Sequence, residues 1–325
     1  VINKAIDNDL LDNFDVEVLK ALFLIKYVKE IKANTTNITT LMINTIDADR
    51  ISLNEKISKS LLRLTNQTLI QKNGDIYSFL TDEEQDINRA IKNIPIESSE
   101  ILTEEGNIIF EEIIDEPKYS YSKRYNFRYN QCIDNIQRNS QIQDIGLRFV
   151  TSYYEVENTT NQKQLTQQSE EEKMDIILRE LSKDKNETIF YLQNDSTLLQ
   201  EIEERQQIIK YLKKRGTDAD KQMKLLLSIK GQEAEEKKER IHTYLEEAVK
   251  TATIYIAGNK VDIPEKNPKE RIDEALEKLV EKIYYKLNYM QTHPAKSDIL
   301  QNLEEETQTS FNQEENENHN AIEDL

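Results

Sequence analysis

The sequence predicts an α+β fold that is predominantly α-helical, and three stretches carry that expectation. Residues 15–92 read as three helices followed by two β-prone runs around Lys72-Asn73-Gly74-Asp75, the order of a winged helix-turn-helix. Residues 144–215 alternate strand and helix, as in a small α/β domain. Residues 217–252 form a long helical stretch whose centre, Lys230 to Arg240, holds almost no apolar side chain and is expected to project as a helical arm or hairpin tip. The expected organisation is a winged helix over 1–94, an acidic then basic and aromatic connection over 95–143, and the α/β domain over 144–215. The arm with a β-hairpin and a last helix covers 216–298, and an acidic, disordered tail covers 299–325.

Composition bounds what such a chain can do. Of 325 residues, 37% are hydrophobic and 32% charged, so cores are thin and much of the length is solvated surface. A net charge of −18 excludes a chain that coats nucleic acid throughout, because phosphate binding needs a basic footprint. It leaves room for one local basic face. The single cysteine, Cys132, rules out an internal disulfide framework, fits a reducing cytoplasm and lies in no nucleophile context. No run reaches the ~18 apolar residues of a membrane span, and no signal peptide opens the chain. The chain begins at Val1 and reads as a piece of a longer protein.

Taken in order, residues 1–14 are a lead-in. The first helix is expected from Asp15, its N-cap, to about Lys32, apolar nearly all round and therefore central and buried. Asn37 is the expected cap of the second helix. In the third, Leu53, Ile57, Leu61 and Leu64 make one apolar stripe, and Lys56, Lys59, Arg63 and Asn66 fall on an adjacent face. That face is either a recognition surface for a major groove, with Lys72 on the following hairpin, or a solvated flank of a core helix. Residues 15–92 hold eleven basic and eleven acidic side chains, a balance that favours neither DNA nor protein as partner. Thr81 and Glu84 predict a capping box on a further helix ending before Pro95.

From Pro95 to Glu116 there are eight acidic and no basic residues, with short apolar runs that suit strands or a short helix. Next, Lys118, Lys123, Arg124 and Arg128 interleave with Tyr119, Tyr121, Tyr125, Phe127 and Tyr129. Cations alternating with aromatics can track a single nucleic-acid strand, or can form an ordinary edge strand with a packed aromatic face that the acidic run could pair with. Residues 156–168 read as a flexible loop, Ser196 as a helix N-cap, and Gly258-Asn259 as a hairpin turn.

The runs DVEVLKALFLIKYVKEIKANTTNITTLM and LTNQTLIQKNGDIYSFLTDEEQDINRAIKN resemble the BREX phage-defence P-loop ATPases, the BrxC/PglY family, most specifically at LIQKNGDIYSFLTDEEQDIN. A looser likeness lies in TATIYIAGNKVDIPEKNPKERIDEALEKLVEKIYYKLNYM, and together they cover roughly two-fifths of the chain. The resemblance implies an internal segment following the nucleotide-binding core of a larger AAA+-like ATPase. It also implies other BREX proteins, a DNA methyltransferase among them, as partners, with ATP and magnesium used elsewhere in the parent.

Catalytic patterns are absent. Asn259-Lys260-Val261-Asp262 matches the guanine-reading NKxD pattern, but no GxxxxGK[ST] accompanies it and only six glycines occur, so no cofactor is expected here and the hairpin reading prevails. His242, His293 and His319 lie too far apart for a compact zinc motif. The function expected is a non-catalytic interaction or regulatory segment, contacting DNA or docking on the ATPase core. The alternative is an oligomerisation module acting through residues 217–252.

Overall fold

The computed structural model describes residues 1–287 except 29, 123–124, 155–168, 185, 193–195, 216–220 and 265–266. The expected loop at 156–168, the tail at 299–325, Lys123, Arg124, His293 and His319 therefore lie outside the described residues.

The N-terminal unit contains α1 (Ile2–Ile6), α2 (Asn13–Ile25), α3 (Thr35–Leu41), α4 (Arg50–Asn66), β1 (Ile70–Asn73), β2 (Ile76–Phe79) and α5 (Asp82–Lys92). The stripe Ile57, Leu61 and Leu64 is fully buried and meets Leu19, Leu22, Ile38, Ile70 and Phe79 in one core. Helix α2 begins earlier than the sequence suggests. Asp12 is its N-cap and Asp15 occupies N3, the two forming a reciprocal capping box. Helix α3 is capped by Asn34, whose side chain accepts from the backbone N–H of Asn37. Thr81 and Glu84 form the capping box of α5. Strands β1 and β2 pair in antiparallel register Asn73↔Ile76, and Gly74 turns the chain at φ +58°. Tyr77 N–H donates to Ala33 O at 2.9 Å and ties the hairpin to the α2–α3 connection.

The second unit follows with α6 (Ser98–Asn107), a π-helical segment (Ile108–Ile113), β3 (Lys118–Tyr121), β4 (Tyr125–Arg128), β5 (Asn130–Ile133) and β6 (Ile136–Gln137). Then come β7 (Gly146–Val150), α7 (Glu170–Asp184), β8 (Glu187–Tyr191), α8 (Ser196–Arg215) and α9 (Lys221–Thr251). Strands β9 (Thr253–Ile256) and β10 (Asn259–Val261) and helix α10 (Pro268–Ile283) close it. The apolar runs near Ile108 thus become helix, the second of the two forms expected. Six strands form one mixed sheet in the order β10-β9-β8-β7-β5-β6, with β5, β7 and β8 parallel. The sheet takes strands from each of the segments 95–143, 144–215 and 216–298, so those expected boundaries run through one architecture. Neither the stretch 95–143 nor 216–298 is an appendage.

One face of the sheet packs Leu147, Phe149, Phe190 and Ile254 against α9, α10 and the π-helical segment. The other face sets Val150, Ile189 and Tyr255 against Leu178 of α7. On that second side Arg148 is buried and grips Glu187 in a two-pronged pair, Nε–Oε2 2.5 Å and Nη2–Oε1 2.9 Å. Gly146 makes this possible, since a Cβ there would stand 2.6 Å from Glu187 Cγ. The β9–β10 turn uses Ala257 and Gly258, both at positive φ, one residue before the expected position. The NKVD stretch is thus β10 and its exit, in keeping with the hairpin reading.

The polar centre of α9 does not project. Lys230, Glu233, Ala234 and Lys237 are buried, and Lys237 Nζ lies 2.6 Å from Glu204 and 3.3 Å from Glu201 on α8. A polar run can sit inside when a facing helix supplies opposite charge, and α8 does so. Burial pushes the Glu204 carboxyl up, but Lys237 and Gln200 outweigh it and hold the group below the usual range.

Candidate interaction surface

The face of α4 divides. Lys56 and Lys59 are exposed, and Lys56 Nζ sits 4.0 Å from the Phe14 ring centroid, a cation–π contact that leaves its charge at the surface. Arg63 is taken out of that row. Its Nε and Nη2 meet Asp15 Oδ2 and Oδ1 at 2.8 and 2.7 Å, and Nη2 also reaches Asp12 at 3.2 Å. Asp15 is fully buried. Burial pushes its carboxyl up, yet hydrogen bonds from Arg63 and from the Asp12 backbone N–H prevail and keep it below the ordinary value. Arg63 thereby joins α2 to α4, and the expected stripe of three cations keeps two. Arg50, at the first position of α4, is exposed and donates to Thr40 Oγ1 at 2.8 Å, but helical spacing sets it on another side of the helix from Lys56 and Lys59.

Asn66 and Lys72 are exposed, but both line a cleft of about 800 Å³ between the N-terminal unit and helices α8 and α9. The hairpin tip is fastened across one end of that cleft. Asn73 Nδ2 donates to Glu236 at 2.8 Å, and Arg240 Nη2 donates to Asn73 Oδ1 at 2.7 Å. Gln71 donates to Glu233, while its carbonyl oxygen accepts from Lys230 at 2.8 Å and Asn88 at 3.0 Å. Beyond the cleft, α5 reaches α8 and α9 through Ile87, Ile91, Ile208, Tyr211 and Leu227.

The described members of the second basic and aromatic cluster divide between two faces. Strand β3 pairs with β4, not with the acidic run, in register Lys118↔Arg128 and Tyr121↔Tyr125. Alternation puts Lys118 and Arg128 outside and turns Tyr119, Tyr121, Tyr125 and Phe127 inward against the sheet core. Phe127 packs on Tyr284 at 5.1 Å between centroids. Tyr119 and Tyr121 are core residues and Tyr125 and Phe127 pack half-buried against the core, which draws Tyr125 away from a stacking role. Beside them Tyr119, Asp273, Glu277 and Glu281 line an acidic hollow, and burial together with neighbouring carboxylates raises the Asp273 carboxyl. Phosphate would be repelled there.

Sequence reasoning passed over a third feature. Among the described residues, most large apolar side chains left exposed belong to the N-terminal unit. Phe23, Leu24, Tyr27 and Val28 stand at the end of α2, and Leu41, Ile43 and Ile46 at the end of α3 and in the loop beyond it, with Leu24 72% and Tyr27 78% exposed. Helices α2 and α3 touch, so these side chains lie on neighbouring elements. The signal was present in a helix apolar nearly all round. It is not wholly buried, because a three-helix unit has only one core to offer it and the surplus faces outward.

Among the described residues, no group of three or more His, Cys, Asp or Glu is placed to hold a metal ion, and no helix is long and apolar enough to cross a membrane. Residues 94–279, more than half the chain, match the family model described as the BREX ATP-binding protein BrxC fourth domain, with six-stranded β-sheet. The six strands of the sheet agree with that description. No solved structure matches the chain.

Proposed function

Because the chain belongs to the BREX BrxC family, and with it to a BREX defence system, we propose that it is a non-catalytic interaction segment in which the sheet unit is the scaffold and the N-terminal unit the contact. The exposed apolar side chains Phe23, Leu24, Tyr27 and Val28 at the end of α2, with Leu41, Ile43 and Ile46 at the end of α3 and beyond it, carry this reading. Apolar side chains gathered on adjacent elements favour a protein surface over a phosphate backbone, which offers them nothing to bury against. The partner proposed is another BREX protein, or the ATP-binding part of a BrxC protein itself. A titration of a separately produced ATP-binding part against this chain tests it. Leu24→Asp with Tyr27→Ala is expected to weaken binding by at least about tenfold, and unchanged binding overturns the reading.

A second contact, with duplex DNA, is supported by a different face. Lys56 and Lys59 are exposed on α4, and Lys72 on the hairpin, in the positions that a winged helix-turn-helix turns toward a groove. The oligomerisation reading loses ground, because α9 spends its inner face on α8, α5 and the hairpin and keeps only Leu225 and Ile229 among the exposed large apolar side chains.

A further inference from the structure

We propose that the N-terminal unit is a hinged module held shut by a polar latch between β1 and α9, and that the latch hides the surface through which this unit would meet DNA. The inference rests on the second contact proposed above. Three observations lead to it.

The core of residues 5–79 is a cluster separate from the core of the sheet unit, so the N-terminal unit can move without opening either interior. Helix α5 is the anchored part, with Ile87 and Ile91 packed among α8 and α9 residues. The hinge accordingly falls between Phe79, which belongs to the N-terminal core, and the Thr81 cap of α5, and motion about it also parts Lys4 from Asp82 and Lys26 from Glu84. The side of the contact made by β1 is polar. Gln71 and Asn73 engage Lys230, Glu233, Glu236 and Arg240, and a cleft of about 800 Å³ separates the C-terminal half of α4 from α8. Hydrogen bonds of this kind exchange readily for water, whereas a packed apolar seam does not.

The groups that the latch engages flank Lys72 on the hairpin and would extend the second contact. Glu233 and Glu236 present carboxylate oxygens to the amides of Gln71 and Asn73, where phosphate oxygens would otherwise accept. Asn66 and Lys72 look into the same cleft, across from Glu201 and Glu204. While the latch holds, α9 stands in for the nucleic-acid backbone at the hairpin tip, and duplex DNA meets Lys56 and Lys59 with Lys72 held at the mouth of the acidic cleft. Once it opens, the hairpin and the end of α4 become available together.

Two altered chains test this. Glu236→Ala with Arg240→Ala removes the α9 groups that hold Asn73, keeps the net charge and the β1 amides, and leaves the Lys230–Glu233 pair intact. Asn73→Cys with Glu236→Cys, joined by a short thiol cross-linker, keeps the latch shut, and buried Cys132 stays out of the reaction. Binding of a 20-base-pair duplex is read by fluorescence anisotropy at low salt, and amide hydrogen exchange is followed across residues 69–80. The open chain should exchange faster there and bind about tenfold more tightly than wild type, and the cross-linked chain at least about tenfold more weakly than the open one. Equal duplex binding by open and cross-linked chains overturns the proposed masking. Faster exchange in the open chain without duplex binding by any form leaves the latch standing and removes the DNA contact. Equal exchange in wild type and open chain overturns the latch itself.

Discussion

The N-terminal unit and the sheet unit solve the same problem, burying charge inside a thin core, with different margins. In the sheet unit, Arg148 and Glu187 are both almost wholly buried and meet on neighbouring strands. In the N-terminal unit, Asp15 is buried but its partner Arg63 stays 37% exposed, and the pair spans two helices at the edge of a small core. The sheet unit has committed its polar groups inward. The N-terminal unit keeps them, along with surplus apolar side chains, near the surface.

The sharpest break of that contrast is Arg148→Met. It strands Glu187 in the sheet and should cost roughly 3–5 kcal/mol of stability, read as a loss of the main thermal transition while α2–α4 amide protection is retained. Equal loss in both units would show that they are not distinct.

A smaller effect is expected at Glu105, fully buried on α6, where one carboxylate oxygen lacks a partner. Burial, with the Asp134 charge adding to it, pushes its carboxyl up to about 8. The folded chain therefore holds a proton that the unfolded chain releases above the ordinary carboxylate range. Stability should fall as pH rises from that range to about 8 and level off beyond. Glu105→Gln should flatten this slope and gain roughly 2–4 kcal/mol at alkaline pH, with little change near pH 5. Denaturant titrations at several pH values measure it, and an unchanged slope would refute the assignment.

Arg63→Ala should cost less, about 2 kcal/mol, because solvent screens the exposed guanidinium even though Asp15 is left buried. The loss should be confined to the exchange of α2 and α4. Lys56→Glu with Lys59→Glu should leave stability within about 0.5 kcal/mol, yet lower any duplex affinity and reduce its salt dependence. Such a pair would separate a contact face from a structural one.

The legible parts of this chain were local. The Thr81–Glu84 box, the Gly74 hairpin and the Leu53-Ile57-Leu61-Leu64 stripe are set by residues a few positions apart, so spacing alone predicts them. The sheet was not legible as one body, because its strands come from three stretches joined by pairings such as Thr188↔Ile256, which no local pattern encodes. Lys237 looked like a solvated residue until Glu201 and Glu204, on another helix, were seen to receive it. Arg63 looked like a DNA contact for the same reason, since its partner Asp15 lies 48 residues earlier. Of the candidate surface, the α4 cations could be found by helical spacing. The latch could not, as it joins Gln71 and Asn73 to residues more than 150 positions away.

Native-state hydrogen exchange in mild denaturant tests the division of the molecule most directly. Residues 13–79 should open in a step of their own, at lower free energy than β7, β8 and β9, because the two cores are separate. A single opening that takes α2–α4 and the central strands together, at one free energy, would contradict it.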